Sequence, residues 1–391
     1  MPVLVLLLLD RGLTLGQVGL CLGVQAGVVM VLELPTGGLA DSHGRRKVLL
    51  TASAFDVASI GLLVVADMLP LVVSVFALQG IYRALESGPL DAWYVDEASA
   101  VDPDTDIDAA MGASGTVIGI SIAAGSVASS AVVATDLVPE INPLVVPLVL
   151  SIMMRVAHIA AISRLMTEPA AARRPATPSA SQLIHNGLTM IRRSEALVAL
   201  LAIEALWGAG LVAFETFTPP RLQVALDNPT DAAALLGPAA AAAWLLAGVS
   251  AAAVPMLSRR FGATRVGFSL RLAQGATVAG IAAFAGPAGI LASYLATMAV
   301  HGAANPIHQG LLHRSISDST QRATVLSANS LAGNLGAAVG AIGLGMIADA
   351  STLSIAIFTG AALLASAAPL YLRTAPPTTQ QAPHSRPASL R

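Results

Sequence analysis

Residues 37–49 of the chain read Gly-Gly-Leu-Ala-Asp-Ser-His-Gly-Arg-Arg-Lys-Val-Leu and lie between two apolar segments. Within this stretch Gly44 permits a tight reversal, because glycine adopts backbone conformations that are strained for other residues. The basic cluster at 45–47 favours the cytoplasmic side of a membrane. Asp41 can cap a helix or face the positive end of a helix dipole. The stretch therefore predicts a short cytoplasmic hairpin between two helices that cross a membrane.

The composition places the rest of the chain in a lipid bilayer as well. Of its 391 residues 55% are hydrophobic and only 11% are charged, and the mean hydropathy is +0.73. Soluble proteins carry about a quarter of their residues as charged side chains, so a soluble class is excluded. A net charge of −2 offers no basic face for nucleic acid, and the single Cys21 excludes a disulfide framework or a cysteine-based metal site. We therefore predict an all-α integral membrane protein without a cofactor.

Eleven apolar segments are each long enough to cross about 30 Å of hydrocarbon as a helix. They lie at 17–36, 48–66, 70–90, 109–134, 143–166, 196–218, 233–257, 266–286, 288–312, 323–347 and 351–372. Residues 1–9 are also apolar but would cover only about 13 Å as a helix. We therefore count them as an incomplete first span, expect its front to be encoded upstream of Met1, and number the spans one to twelve.

Basic residues orient these spans. Most of the 21 Lys and Arg residues fall in or beside alternate loops, which the positive-inside rule assigns to the cytoplasm. The predicted cytoplasmic segments are 37–47, 91–108, 167–195, 258–265, 313–321 and the tail after 373. We divide the chain into a first transmembrane bundle at 1–166, a cytoplasmic linker at 167–195, a second bundle at 196–372 and a disordered cytoplasmic tail at 373–391. The expected location is the cytoplasmic membrane of the cell.

An internal repeat relates the two predicted bundles. Four residues of span four have counterparts 222 positions later in span ten, namely Gln79, Gly80, Gly88 and Leu90 with His301, Gly302, Gly310 and Leu312. At an offset of 218, the pattern Leu39, Gly44 and Val48 recurs as Leu257, Gly262 and Val266. The alternative is chance similarity among helices rich in glycine, alanine and leucine. Since two loops and two spans agree, we favour a true repeat, which in transporters places the substrate site between the halves.

The hairpin at 37–49 resembles the signature of the major facilitator superfamily, Gly-x-Leu-Ala-Asp-(Arg/Lys)-x-Gly-Arg-(Lys/Arg)-x-x-Leu. Ser42 departs from that pattern, and the main matching positions are Gly37, Leu39, Asp41, Gly44, Arg45 and Arg46. The weaker copy at 257–266 lies where the second half of the superfamily has its degenerate version. The resemblance implies two six-helix bundles around a central cavity that alternates its access. It also implies that Asp41 latches against the eleventh helix, which begins near 320–324, with one salt bridge missing at Ser42.

Ionisable residues inside the spans are the candidates for solute and proton binding, because a charge in hydrocarbon is costly unless it faces a cavity or a partner. Polar stripes at helical spacing occur in spans four, seven and ten, which by resemblance line the superfamily's cavity. Their candidate residues are Arg83 and Glu86, Glu204 and Trp207, and His301, Asn305 and His308. Glu204 is the preferred proton carrier, since a carboxyl group in that setting can exchange a proton near neutral pH. Glu33 and Asp56 are further candidates.

Each of these candidates also has a structural interpretation. Arg83 and Glu86 can neutralise one another at i, i+3, and the two histidines can be packed neutral imidazoles that bond to backbone carbonyls. Glu33, two turns before Asp41, more readily supports the charge network of the hairpin than it binds a solute.

The composition of the spans and the glycines of span five indicate the solute class and the direction of transport. Aromatic residues make up 4% of the chain, and no acidic or basic cluster lies within the spans. A small hydrophobic or amphipathic solute is therefore favoured over a sugar or a multiply charged metabolite. Span five contains Gly112, Gly115, Gly119 and Gly125, but it lacks the Gly-Pro pair of the drug/proton antiporter signature. The resemblance to a bacterial drug-efflux branch is thus incomplete, and we predict a secondary active transporter that exports its solute in exchange for protons.

Two other functional classes remain. An integral membrane enzyme that acts on a lipid diphosphate would hold Mg²⁺ with carboxylates such as those between Asp91 and Asp108. That segment lacks a pair of Asp-Asp-x-x-Asp motifs, and its acids equally suit the start of span five. A transporter-shaped sensor that moves nothing is the other alternative. No Walker motif is present, so neither ATP coupling nor an ATPase subunit is indicated, and we predict a transporter rather than an enzyme.

The charge bias generates a topology prediction. Reporters fused after Lys47, near Pro175 and after Arg373 should all read cytoplasmic, whereas reporters at 10–16 or 228–231 should read external, because basic residues resist translocation. Alkaline phosphatase and fluorescent protein fusions measure both classes. An external signal at Pro175 would contradict the two-bundle organisation.

Overall fold

The fold is that of a computed structural model, which describes residues 2–102, 105–167, 189–316 and 322–374, apart from the side chains of 2, 34–38, 41–42, 108 and 323. Several sequence predictions fall outside these residues. They are the linker at 168–188, the tail at 375–391, the residues just before the eleventh span at 320–321, and the side-chain roles of Gly37 and Asp41.

Helices account for nearly all of the described chain, and no strand occurs within it. They are α1 (Pro2–Asp10), α2 (Leu15–His43), α3 (Arg45–Val65), α4 (Leu69–Glu86), α5 (Pro89–Val101), α6 (Ile107–Thr135), α7 (Val146–Leu165), α8 (Glu195–Glu215), α9 (Thr218–Leu226), α10 (Pro229–Phe261), α11 (Ala263–Ala283), α12 (Pro287–Ser315), α13 (Arg322–Ala350) and α14 (Leu353–Ser366), followed by a 3-10 helix (Ala368–Thr374). Spans one to twelve correspond to α1, α2, α3, α4, α6, α7, α8, α10, α11, α12, α13 and α14.

Ten described helical segments are long and apolar enough to cross a membrane, and they coincide with ten of the eleven full-length predicted spans. The span predicted at 288–312 lies in α12, which has 29 residues and is not one of these ten. Its polar residues His301, Asn305 and His308 lower its mean hydropathy. Because α12 packs along α10 and α11 like a normal span, this polar stripe is what sets it apart.

The predicted hairpin at 37–49 forms, with its reversal at Gly44. Gly44 ends α2 and begins α3 with φ of +94° and ψ of 133°, and its N–H donates to the carbonyl oxygen of Ala40. Gly262 joins α10 to α11 with φ of +82° and ψ of 137°, and its N–H donates to Ser258 in the same way. Positive φ favours glycine because it has no Cβ. Two equal turns 218 residues apart confirm the internal repeat at these loops.

A second feature that occurs in both halves is an arginine that caps the end of a helix, at the opposite end of the molecule. Arg11 follows α1 and donates to the carbonyl oxygens of Leu63, Val64 and Ala66, at 2.5–2.8 Å, where α3 ends. Arg221, in α9, donates to the carbonyl oxygens of Ala282 and Phe284, where α11 ends. The last carbonyls of a helix have no partner within it and carry partial negative charge. Each arginine therefore caps the helix that forms the third span of its own half.

The prediction for span four and the loop after it is wrong. The predicted span four runs to residue 90 and a loop follows to 108, but α4 ends at Glu86 and α5 occupies Pro89–Val101. Gly88 adopts the left-handed conformation between them, and Pro89 begins α5 where its missing N–H is harmless. Gly310, the proposed counterpart of Gly88, lies inside the continuous α12. The two halves therefore differ at this point.

The halves, α1–α7 and α8–α14, meet along two main helix pairs, α2 with α13 and α6 with α10. The repeat relates α2 to α10 and α6 to α13, so the two pairs are equivalent, as expected for two bundles related by a pseudo-twofold axis. We call the two ends of the molecule the Thr14 end and the Arg45 end. At the Thr14 end the halves are in close contact, since Ser130 of α6 donates to the carbonyl oxygen of Ala233 in α10.

The hairpin geometry generates a stability prediction. Substitution of Gly44 or Gly262 by alanine should lower the free energy of unfolding by about 1–3 kcal/mol, because φ is positive at both positions. Gly61 and Gly248 are matched controls inside helices, where an added Cβ meets no atom within 4 Å. Alanine at these two positions should be neutral or stabilise by about 0.5–1 kcal/mol. Thermal unfolding in detergent measures all four variants, and equal effects in the two pairs would contradict the role of the turns.

Candidate functional site

A cluster of polar side chains lies inside the second half, where four helices converge. Glu204 comes from α8, Arg271 from α11, His308 from α12 and Asn329 from α13. The exposed fractions are 14% for the Glu204 side chain, 2% for Arg271, 0% for His308 and 5% for Asn329. Because unpaired polar groups are unfavourable in hydrocarbon, this concentration of buried polar groups marks the strongest candidate site among the described residues.

His308 joins Glu204 to Asn329. Its Nε2 atom lies 3.1 Å from Oε2 of Glu204 and 3.1 Å from Oδ1 of Asn329. Both neighbours are acceptors, and Nδ1 of His308 has no hydrogen-bond partner. The arrangement therefore fits an imidazole that carries its proton on Nε2 and shares it between the two oxygens. The ring of Tyr371 stands edge-on to His308 with the ring centroids 6.5 Å apart.

A small polar cavity adjoins this contact. Its lining consists of Glu204, Trp207, Arg271, His301 and Asn305, and its volume is about 10 Å³. That volume suits about one water molecule. The rings of Trp207 and His301 stack with centroids 5.7 Å apart at an interplanar angle of 8°. The cavity thus brings together predicted residues of spans seven and ten.

Arg271 supplies positive charge to the same cavity. Its NH1 group donates to Oε1 of Gln274, one turn along α11, at 2.7 Å. The guanidinium also attracts the carboxylate of Glu204 electrostatically. The cluster therefore contains one potential negative charge, one fixed positive charge and two histidines.

Glycines of α13 hold α8 close enough to build this cluster. A Cβ added at Gly336 would lie 2.0 Å from the carbonyl oxygen of Ala205, and one at Gly340 would lie 2.2 Å from that of Ala209. At Gly333 an added Cβ would lie 3.3 Å from Oε1 of Glu204. Small residues allow helix backbones in membranes to approach one another. The Glu204 side chain is thus packed against α13 rather than free.

The predicted residues of span four do not form a comparable cluster. The Arg83 and Glu86 side chains are both exposed at the end of α4, and the described residues show no ion pair between them. Gln79 is buried and accepts a long hydrogen bond of 3.4 Å from Gln25 of α2. Span four therefore stays separate from the Glu204 cluster in this conformation.

Asp56 forms an ion pair with Arg155, which joins α3 to α7. The exposed fractions of the two side chains are 7% and 22%. Sequence separation alone could not indicate this pair. The geometry therefore gives Asp56 a structural role that joins two helices of the first half.

Two basic residues of the hairpin contact other helices of the first half. Arg45 forms an ion pair of 2.8 Å with Asp96 of α5, and Arg46 donates to the carbonyl oxygen of Ser163 near the end of α7. These contacts tie the hairpin to two neighbouring helices.

Among the described side chains, two hydrogen-bonded contacts join α13 of the second half to the region of α2 in the first. At the Arg45 end, Ser330 donates to Oε1 of Glu33 at 3.1 Å. At the Thr14 end, Oδ2 of Asp349 accepts from the Thr14 hydroxyl at 2.6 Å and from the Gly16 N–H at 3.0 Å. The second contact places a carboxylate at the N-terminus of α2, where the helix dipole stabilises negative charge.

Sequence reasoning missed several members of the cluster. Arg271, Gln274, Asn329 and Tyr371 were not among the predicted residues. Arg271 lies inside the apolar segment 266–286, so the rule that intramembrane charges are functional could have found it. The neutral residues carry no such signal.

The acidic segment near residue 100 has structural roles in the part that the structure describes. Asp96 pairs with Arg45, and Oδ1 of Asp106 accepts from the N–H of Ala109, which caps the start of α6. Throughout the described ranges, no group of three histidine, cysteine or acidic side chains is arranged to hold a metal ion. These contacts favour the capping interpretation over a lipid-diphosphate site.

Comparisons with known proteins bear on the fold. A family model described as Major Facilitator Superfamily matches residues 1–320. No curated protein matches the sequence. Among solved structures, the nucleoside transporter NupG aligns in a mutant form with a TM-score of 0.81, 11% identity and coverage of 95% of this chain and 94% of that one. The form without that mutation aligns with a TM-score of 0.76 at 11% identity over 95% and 93%.

A third solved structure is that of a bacterial homologue of the human lysosomal transporter Spinster, in an inward-facing and unoccupied conformation. It aligns with a TM-score of 0.74 and 13% identity over 95% of each chain. At such identities the likeness concerns the fold, and it confirms the predicted arrangement of two six-helix bundles.

The Asp56–Arg155 contact generates a prediction about stability. Alanine at either position should lower the free energy of unfolding by about 3–5 kcal/mol, because one charge is left buried without its partner. The double substitution Asp56→Ala with Arg155→Ala should be less destabilising than the sum of the two, and a double-mutant cycle of thermal unfolding measures the difference. Strictly additive losses would mean that the two side chains do not interact.

Proposed function

The chain belongs to the major facilitator superfamily, and on this premise we propose that it is a secondary active transporter that exports a small amphipathic solute in exchange for protons. The observation that carries the proposal is the Glu204 carboxylate, held 3.1 Å from His308 beside the cavity that Arg271 and Asn305 also line. A carboxyl group at this depth changes charge only by exchanging a proton. Because a charge in hydrocarbon is costly, a change of charge there strongly shifts the balance between two conformations that expose the group differently.

The chemistry of the lining supports the solute class. Trp207 and His301 offer stacked rings, and Asn305 offers an exposed amide group that can both donate and accept hydrogen bonds. One carboxylate opposite one guanidinium leaves no excess charge to attract a multiply charged metabolite. A small solute with an apolar body and a few polar groups suits such a lining once the cavity, which has room for about one water molecule in this conformation, opens.

The direction of transport follows from the same solute class. A solute that is apolar enough to enter the bilayer crosses it inward without help, so a protein that spends a proton gradient on it is needed for export. We place the protein in the cytoplasmic membrane with the Arg45 end in the cytoplasm, as the positive-inside rule predicts. In that orientation, the bundles at 1–166 and 196–372 would rock around the site and expose it to each side in turn.

The role of Glu204 is tested by Glu204→Gln, which keeps the shape of the side chain but cannot titrate. In proteoliposomes, export of an amphipathic fluorescent dye should lose its dependence on a pH gradient, whereas dye binding to the purified protein should remain measurable. Glu195→Gln is a matched control on the same helix, since Glu195 is 76% exposed at the start of α8. This control should behave as the unmodified protein.

Three results would contradict the proposal. Full gradient-driven transport in Glu204→Gln with unchanged pH dependence would remove Glu204 as the proton-binding group. Transport of a nucleoside but not of the dye would replace the proposed solute class. Movement of neither solute by the unmodified protein would favour a sensor.

A further inference from the structure

We propose that Asn329 and Ser330 of α13 form a relay that connects the protonation state of Glu204 to the contact between the two halves. This inference rests on the proposed function, because it requires that Glu204 exchange a proton. Asn329 acts in it as a positioning residue for His308, and Ser330 carries the change to Glu33. The relay consists of three contacts, Glu204 with His308, His308 with Asn329, and Ser330 with Glu33. The Gly37–Arg46 hairpin takes part in none of them.

The first part of the relay lies within the second half. His308 Nε2 has two acceptors at the same distance of 3.1 Å, one on Glu204 and one on Asn329. While Glu204 is a carboxylate, it competes strongly for the Nε2 proton, because charged acceptors form the stronger hydrogen bonds. Once Glu204 is protonated, this advantage is lost, and His308 donates mainly to Asn329. Protonation therefore changes how firmly both α12 and α8 hold α13, since the Glu204 carboxylate also has a side-chain hydrogen bond with Asn329.

The second part of the relay follows from helix geometry. Consecutive residues of an α-helix point about 100° apart, so Asn329 and Ser330 face different neighbours. Asn329 faces His308 of α12, whereas the Ser330 hydroxyl donates to Oε1 of Glu33 in α2 at 3.1 Å. One turn of α13 thus touches the Glu204 cluster on one side and the opposite half on the other.

Among the groups that surround Glu204, those on α13 also reach the first half. His308 and His301 face Glu204 from α12, Arg271 from α11 and Tyr371 from the 3-10 helix. All of these belong to the second half. The helix that packs on Glu204 and also reaches the first half is α13, which contributes Gly333, Asn329 and Ser330.

The relay is tested by the distance between the halves as a function of pH. Spin labels at Val31→Cys on α2 and Leu335→Cys on α13 report this distance by pulsed electron double resonance, in a Cys21→Ala background. Val31 is 73% exposed and Leu335 is 51% exposed, and Cys21 is the single native cysteine. With the full-length protein in lipid nanodiscs, the distance distribution should shift between pH 5 and pH 8.

Two variants should abolish this shift. Asn329→Ala removes the second acceptor of His308, and Ser330→Ala removes the donor to Glu33. Ser330→Thr keeps the hydroxyl group and should retain the shift, which separates the hydrogen bond from simple packing. Ser327→Ala is the matched control, since Ser327 is exposed one turn earlier on α13, and it should also retain the shift. Ser330→Ala removes only one oxygen atom, so the test does not depend on the folding of the Asn329 variant.

The possible failures are distinguishable. If Glu204→Gln loses the shift but either Asn329→Ala or Ser330→Ala keeps it in full, the relay is refuted while the proposed function stands. If Glu204→Gln itself keeps the shift, or if the unmodified protein shows none, the proposed function and the relay both fail. Loss of the shift in Ser327→Ala would attribute the effect to α13 as a whole and would also refute the relay.

Discussion

Hydrocarbon offers no hydrogen-bond partners, and this constraint decides most of what the structure does. Backbone groups satisfy one another in helices, and the open ends of α3 and α11 receive the guanidinium groups of Arg11 and Arg221. Charged side chains within the spans follow the same rule, as the contact between Asp56 and Arg155 shows. The Glu204 cluster is the place where partners come from four different helices, so its polar groups can rearrange without any of them facing lipid.

The sequence predicts those features whose physical cause is local. Long apolar runs give the spans, and a glycine before a basic cluster gives the turn at Gly44 and its repeat at Gly262. Prediction failed at the end of α4, because the run of apolar and polar residues around Gly88 and Pro89 fits either a continuing helix or a loop. The left-handed conformation of Gly88 decides between them, and the sequence does not specify it.

The candidate site shows the same division between local and distant causes. Glu204 and His308 were predicted separately, since each is a polar residue in an apolar span. Their contact was not predicted, because it depends on how α8 and α12 pack across the second half, whereas the glycines of α13 set only the distance between α8 and α13. Asn329 carries no charge and its segment is ordinary in composition, so nothing in the sequence singles it out. Long-range partners of this kind follow only from packing.

The two halves share a fold but differ in where they keep their polar chemistry. In the first half Arg83 and Glu86 are exposed, whereas the corresponding Asn305 and His308 of the second half adjoin or form the Glu204 cluster. The same α13 helix then contacts α2 near both of its ends, through Ser330 and through Asp349. A rocking motion that opens the Thr14 end has to break the Asp349 contact, and one that opens the Arg45 end has to break the Ser330 contact. Since of these two contacts only the Ser330 contact adjoins the Glu204 cluster, the proposed proton exchange at Glu204 would act first at the Arg45 end.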